Sequence, residues 1–202
     1  SKFYRMVVNK KNLSRSWQRM LSGRRLNLLN PSPLDIEIED IARGISRVAR
    51  WNGQTLGDHP LSVAQHSVIV ADILSINKKN ILKKWLLAAL LHDAAEYIIS
   101  DMITPLKTIL GSKYIQIEDI IQSAIHLRFR LPSEIPKSIY KSIKRCDRQT
   151  AFLEAVQIAG FSENEARNIF STPKIIPKYK IIPLSSKKAE YLFLKKFHEL
   201  YR

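Results

Sequence analysis

The stretch Leu86-Leu-Ala-Ala-Leu-Leu-His-Asp-Ala-Ala-Glu96 is predicted to lie in a long apolar helix, and it carries His92 and Asp93 side by side. A lone buried carboxylate would be strongly destabilising or would take up a proton. A positive partner is therefore expected, and a divalent metal ion is suitable because imidazole and carboxylate both bind the first-row cations. Glu96 follows one turn later on the same helical face, which places an acid or base beside the two ligands.

Two more side chains are predicted to face the interior from other helices. His66 shares a helical face with apolar residues at spacings of three and four, and Asp147 does so in a later helix. Alone, His66 would more often be a hydrogen-bonded core histidine, and Asp147 could belong to a buried ion pair. Glu154, two turns beyond Asp147, is expected to form a structural salt bridge or to support a ligand. We predict one octahedral site, with positions open to water or a phosphate oxygen, whose ligands are His66, His92, Asp93 and Asp147.

The order of these residues resembles that of the HD-domain metal-dependent phosphohydrolases. The string His92-Asp93-Ala-Ala-Glu96-Tyr-Ile-Ile-Ser-Asp101-Met-Ile-Thr104-Pro105-Leu-Lys107, preceded by Arg50-Trp51-Asn-Gly-Gln-Thr, is similar to the branch that contains the bacterial 5'-deoxynucleotidases. The resemblance covers roughly residues 35–160. It implies an all-α HD-domain helical bundle with the metal site between three core helices.

Two carboxylates are expected to move protons in such a site. Glu96 would hold or deprotonate the attacking water, and Asp101 would protonate the leaving 5'-oxygen or bind the sugar 3'-hydroxyl. The two residues could also exchange these roles, and the pattern does not choose between the assignments.

The resemblance also implies a set of substrate-binding residues. Trp51 could instead be an ordinary core residue, and Lys107 an ordinary surface lysine. In the substrate-binding interpretation, Arg50 and Trp51 clamp and orient the phosphate, while Thr104 and Lys107 line the pocket.

The function predicted from these residues is hydrolysis of deoxynucleoside 5'-monophosphates by a nucleotidase with one divalent ion, which could be Mn, Co, Fe, Ni or Zn. A deoxynucleoside triphosphate hydrolase on the same scaffold is the alternative within the enzyme class. The net charge of +15 suits nucleotides or nucleic acid. A third interpretation is therefore an HD protein that binds or cleaves nucleic acid with its basic tail, from Lys174 to Arg202.

Length and composition suggest a single domain over residues 1–202, with a core at about 35–160, an N-terminal extension and a C-terminal arm plus helix. No apolar run reaches membrane-spanning length, and the single cysteine, Cys146, excludes an intramolecular disulfide. We expect a cytoplasmic protein that forms a homodimer and does not bind a membrane.

The periodicity predicts a first helix from Ser14 to Leu21 and a second helix that Asp40 caps and that runs to Arg50. Surface positions are expected for His59, His126 and His198. The proline-rich segment Thr172–Pro183 is expected to be extended. Further helices are predicted at about 81–99, 103–110, 113–130, 135–159 and 185–201.

Overall fold

The computed structural model of the protein describes residues 15–170 and 176–202. Within these residues the chain is mainly helical, which agrees with the predicted all-α class. The helices are preceded by one short β-hairpin. The elements are β1 (Trp17–Arg19), β2 (Arg25–Asn27), α1 (Ile38–Ile45), α2 (Val63–Asn77), α3 (Lys83–Leu90), α4 (Glu96–Ile99), α5 (Thr104–Leu110), α6 (Ser112–Arg128), α7 (Lys137–Gln157), α8 (Glu163–Phe170) and α9 (Ser186–Leu200).

Helix α2 is the centre of the bundle and packs against α3, α7 and α9. Apolar side chains such as Val63, Ile69 and Leu74 cover most of its circumference and are almost completely buried. A helix that is apolar on nearly all sides is stable only when other helices surround it. The Ser62 side chain accepts a hydrogen bond from the Gln65 amide and caps the first turn. His66 therefore lies in the protein interior, on a helix that other helices surround.

The predicted helix from Ser14 to Leu21 is wrong, because the described part of this segment forms β1, which pairs antiparallel with β2. The chain reverses at Gly23, whose φ of +96° is readily adopted by glycine. Asp40 does not cap α1, which begins at Ile38. Its carboxylate instead accepts hydrogen bonds from the Ser22 amide and hydroxyl. The Asp40 carboxylate, which local spacing assigned to a helix cap, is therefore bound to Ser22, a residue distant in the sequence.

The predicted continuous helix at 81–99 is also wrong. Helix α3 ends at Leu90 and α4 begins at Glu96, so His92 and Asp93 lie in turns between the two helices. In an α-helix the Leu91 carbonyl would accept from the Ala95 amide. Both groups bond to the side-chain amide of Gln122 in α6 instead, at 2.7 and 3.1 Å. A side chain inserted into the helical hydrogen-bond ladder is a recognised cause of a helix break.

The remaining helices agree better with the periodicity. Helices α5, α6, α7 and α9 begin and end within two residues of the predicted bounds, whereas α8 was not predicted. Residues 176–183 form neither helix nor strand, and residues 171–175 lie outside the described part of the chain. Within that part, no helix is long and apolar enough to cross a membrane.

His126 corrects another prediction, because it is buried rather than on the surface and hydrogen-bonds to Gln122 and Ser133. His59 and His198 are exposed, as expected.

Candidate metal centre and active site

Two helices and the α3–α4 turn bring four potential metal ligands together. His66 comes from α2, His92 and Asp93 from the turn, and Asp147 from α7, and one donor atom of each lies within 4.8 Å of all the others. His66 Nε2 is 3.1 Å from Asp147 Oδ1, and His92 Nε2 is 3.1 Å from Asp93 Oδ2. Ligands at right angles around an ion with bonds of about 2.1 Å are about 3 Å apart. The cluster therefore has the spacing to hold one divalent cation.

The Nδ1 atom of each imidazole ring already has a hydrogen-bond partner. His66 Nδ1 lies 2.5 Å from Glu154 Oε1, and His92 Nδ1 lies 2.8 Å from the Ala89 carbonyl oxygen. Both acceptors require a proton on Nδ1, so Nε2 is the nitrogen of each ring that is directed at the cluster and can bind a metal. Among the residues that the structure describes, buried His92 Nε2 has no hydrogen-bond partner. These observations fit a metal ion, since metal-bound histidines usually donate their other N–H to a carboxylate or carbonyl.

The electrostatics of the cluster favour a cation. Burial alone would lower the pKa of His92, but the carboxylates of Asp93 and Asp147 raise it to about 10. Burial would raise the pKa of Asp93, yet His92 holds it below its usual range. When no cation is bound, protons on the imidazoles thus balance the carboxylate charges. A divalent ion can replace those protons, because imidazole binds metals in its neutral form.

Glu154 connects the cluster to the phosphate-binding pair predicted from the sequence. It is fully buried, and its Oε2 accepts from Arg50 Nε at 3.0 Å and from Trp51 Nε1 at 2.9 Å. Burial would lower the pKa of Arg50, but Glu154 and nearby aspartates raise it, so the guanidinium stays charged. Glu154 is thus the salt-bridge and supporting residue that its position suggested, and it fixes His66, Arg50 and Trp51 together.

Trp51 and Asn52 have φ values of +57° and +51°. Positive φ is uncommon for residues other than glycine and is retained only where surrounding contacts enforce it. The hydrogen bond from Trp51 Nε1 to Glu154 supplies one such contact, and the ring also packs against Phe161 and Phe170, with centroids 5.7 and 5.9 Å away. Trp51 is therefore held against the cavity rather than buried in the core.

A cavity of about 690 Å³ opens beside the cluster. This volume is within the usual range for small-molecule sites. His66 and His92 are not part of its lining, so the two carboxylate ligands are the ones that face it. The residues predicted for the site that line the cavity are Arg50, Trp51, Asp93, Glu96, Asp101, Thr104, Lys107 and Asp147.

Glu96 and Asp101 have unusual protonation properties. Burial, followed by the charges of Asp93 and Asp101, raises the pKa of Glu96 to about 10. Burial also raises the pKa of Asp101, with a further contribution from Asp93. A bound cation would oppose both shifts. Carboxyl groups perturbed by burial and by one another in a cleft are frequent proton-transfer groups.

Lys107 lies at the cavity but is not a free cation, because its Nζ is 3.2 Å from Glu118 Oε1. Thr104 begins α5 and also lines the cavity. Together these two residues occupy the side of the cavity formed by the 101–107 loop and α5.

Sequence reasoning missed several cavity residues. Lys144 is 3.2 Å from Asp147 Oδ2, a partner that the i,i+3 spacing on α7 could have indicated. Arg148 follows on the same helix, and Phe161 and Phe170 supply an aromatic wall. No local pattern indicated the wall, because Phe170 belongs to the helix that was not predicted.

Comparisons with known proteins agree with this geometry. The family model described as 5'-deoxynucleotidase YfbR-like matches residues 39–161. The chain is 55% identical over 161 residues to an uncharacterized protein of Rhodobacter capsulatus, and the alignment covers 80% of this chain and 82% of that protein. It is 26% identical over 166 residues to the uncharacterized protein YfdR of Escherichia coli. That alignment covers 82% of this chain and 85% of YfdR.

The family match spans more than half of the chain and includes all four residues of the His/Asp cluster. The family belongs to the phosphohydrolases of the HD type, and the helical fold and the cluster described above have the form that this type requires. The chain therefore belongs to the YfbR-like 5'-deoxynucleotidase family.

Proposed function

We propose that the protein is a metal-dependent 5'-deoxynucleotidase that converts a deoxynucleoside 5'-monophosphate and water to a deoxynucleoside and inorganic phosphate. The observation that carries the proposal is that Asp93 and Asp147, two members of the four-donor cluster, line the same cavity as Glu96 and the cation Arg50. The ligands in this proposal are His66, His92, Asp93 and Asp147. Two histidines and two carboxylates suit Mn, Co, Fe, Ni or Zn.

A bound divalent cation would lower the pKa of a water molecule and neutralise charge on the phosphoryl oxygens. The residues of the chain supply the remaining steps. Arg50 binds and orients the phosphate, and its rigid attachment to Glu154 keeps the guanidinium in place. A bound cation would oppose the rise in the pKa of Glu96, and the ionised carboxylate accepts a proton as the water oxygen bonds to phosphorus. Asp101, whose pKa burial raises, donates a proton to the 5'-oxygen as the P–O bond breaks.

The deoxyribose and base would lie against the aromatic wall of Trp51, Phe161 and Phe170, in the same cavity as Thr104 and Lys107. Aromatic faces favour a nucleobase but offer no hydrogen-bond partner to a 2'-hydroxyl. An unsatisfied hydroxyl costs about 1–3 kcal/mol, which corresponds to about tenfold to a hundredfold in kcat/KM. The wall thus supports a preference for deoxynucleotides.

A phosphate-release screen tests the proposal. The purified protein is stripped with a chelator, reloaded with Mn²⁺, Co²⁺, Ni²⁺ or Zn²⁺, and offered ribo- and deoxynucleoside mono-, di- and triphosphates. Release of inorganic phosphate from deoxynucleoside monophosphates is expected. Asp93→Ala, prepared in the same way, controls for contaminating phosphatase. No phosphate release from any of the deoxynucleoside monophosphates with all four metals would contradict the proposal.

A deoxynucleoside triphosphate hydrolase is the second candidate, and the cations of α7 favour it. Lys144 and Arg148 line the cavity in addition to Arg50 and Lys107. Within the described residues Arg148 forms no ion pair, so its charge is available to a second or third phosphate. If this function is correct, Arg148→Ala lowers kcat/KM for dATP much more than for dAMP. If the protein hydrolyses dATP but not dAMP, it is a triphosphate hydrolase and not a nucleotidase.

We propose in addition that residues 1–202 form one domain and that the protein acts in the cytoplasm as a homodimer. One calorimetric unfolding transition and a light-scattering mass near twice 23.3 kDa are the expected results. Two independent unfolding transitions would contradict the single domain, and a mass near 23.3 kDa would contradict the homodimer.

A further inference from the structure

The side-chain amide of Gln122 occupies the position of a missing helical hydrogen bond. Its Nε2 donates to the Leu91 carbonyl at 2.7 Å, and its Oε1 accepts from the Ala95 amide at 3.1 Å. These two backbone groups are i and i+4, so they would bond directly to each other in an α-helix. The single amide therefore satisfies both ends of the opened turn.

The opened turn contains His92 and Asp93. Adjacent residues of a regular helix project about 100° apart. Here the backbone instead makes i to i+3 hydrogen bonds, from Ala94 to Leu91 and from Glu96 to Asp93. In this conformation His92 Nε2 and Asp93 Oδ2 are 3.1 Å apart. The sequence 86–96 contains no glycine or proline that could cause the break. The cause is on another helix.

His126 orients the amide of Gln122. Its Nδ1 lies 3.0 Å from the Ser133 carbonyl oxygen, which can only accept, so Nδ1 carries the proton and Nε2 is an acceptor. Gln122 Nε2 lies 3.0 Å from that acceptor. Both amide hydrogens of Gln122 are thus used, one by Leu91 and one by His126. Reversing the amide would place its oxygen against two acceptors, so a single orientation is allowed.

We propose that Gln122 is a positioning residue that holds the α3–α4 turn open for metal binding, and that His126 acts through it by selecting the amide orientation. This inference rests on the proposed metal site. Neither residue is expected to touch the metal or substrate, because neither lines the cavity. Both are placed on one face of α6, at i and i+4, where His126 reaches the Gln122 amide.

The decisive variant is Gln122→Leu, which keeps similar volume but removes the amide. Gln116→Leu is the matched control, because Gln116 is exposed on the same helix. Two properties are measured: Mn²⁺ affinity by electron paramagnetic resonance, and the ¹³Cα chemical shifts of residues 91–95 in chelator-treated protein. In Gln122→Leu we expect Mn²⁺ affinity to fall about tenfold or more and the shifts to move toward helical values. Wild-type affinity and unchanged shifts would overturn the proposal.

His126 is tested with a double-mutant cycle. His126→Phe should weaken Mn²⁺ binding by itself but add little in the Gln122→Leu background, because its effect passes through the amide. Full additivity would overturn the role of His126. Should Gln122→Leu not fold, Gln122→Asn serves in its place, since the shorter side chain cannot maintain all three contacts.

The two measurements separate this inference from the proposed function. If the wild-type protein binds no Mn²⁺ and shows no phosphatase activity with any cation, the proposed function fails. The chemical shifts of residues 91–95 then still decide whether Gln122 holds the turn open. Helical shifts in Gln122→Leu support that role, and shifts equal to those of wild type refute it.

Discussion

Replacing Glu154 by glutamine should strongly destabilise the protein and weaken its metal binding. Its carboxylate is completely buried and bonds to His66 Nδ1, Arg50 Nε and Trp51 Nε1, with Arg50 Nη2 a further 2.9 Å contact. Glutamine preserves the shape but removes the charge, and its NH₂ group must face a hydrogen-bond donor. Arg50, whose side chain is only 13% exposed, then lacks its buried partner.

The magnitude follows from these contacts. Hydrogen bonds to charged groups contribute about 1.5–3 kcal/mol each, and removing one partner of a buried ion pair costs about 3–5 kcal/mol. We expect the free energy of unfolding to fall by about 3–5 kcal/mol, a large part of the ~5–15 kcal/mol typical of a domain. Loss of the group that orients His66 should also weaken Mn²⁺ binding by about tenfold to a hundredfold.

Urea unfolding of chelator-treated protein, followed by circular dichroism, measures the first effect, and Mn²⁺ titration measures the second. Glu190→Gln is the matched control, because Glu190 forms an ion pair with Arg47 at the surface, where the expected cost is about 0–1 kcal/mol. The reasoning is refuted if Glu154→Gln loses no more stability than Glu190→Gln and binds Mn²⁺ with wild-type affinity.

Three further outcomes are expected. Asp93→Ala should lose Mn²⁺ binding and phosphate release together, whereas Glu96→Ala should keep Mn²⁺ and lose about two to four orders of magnitude in kcat. If Glu96→Ala binds no Mn²⁺, Glu96 is a ligand instead. In steady-state assays dAMP should exceed AMP in kcat/KM by about tenfold to a hundredfold, and equal values would contradict a preference for deoxynucleotides. Burial lowers the pKa of His126 in the folded protein, so its contribution to stability is present above the unfolded value of about 6.5 and is lost as the pH falls through the folded value. The free energy of unfolding should therefore drop more steeply between pH 7 and pH 5 in wild type than in His126→Gln, and parallel curves would contradict this assignment.

Local periodicity was sufficient for much of the fold. Helices α5, α6, α7 and α9 could be predicted because their apolar residues repeat at helical spacing, and such a repeat requires no knowledge of distant partners. The order of His66, His92-Asp93 and Asp147 was enough to indicate the family, which the match over residues 39–161 shows. It was also enough to suggest one metal site, and the fold brings the donor atoms of these residues together.

Hydrogen bonds between polar side chains far apart in the sequence decided the rest. The run at 86–96 has strong helical propensity. Gln122, about thirty residues later in the chain, nevertheless hydrogen-bonds to the Leu91 carbonyl and the Ala95 amide, and the helix is interrupted at His92. Asp40 binds Ser22 instead of capping α1, and His126 is buried because Ser133 and Gln122 satisfy both of its nitrogens. Propensity and periodicity act over a few residues, whereas these bonds depend on which helices meet. For that reason the sequence by itself determined the helical class and the identity of the candidate ligands, and only the tertiary structure decided the conformation in which they converge.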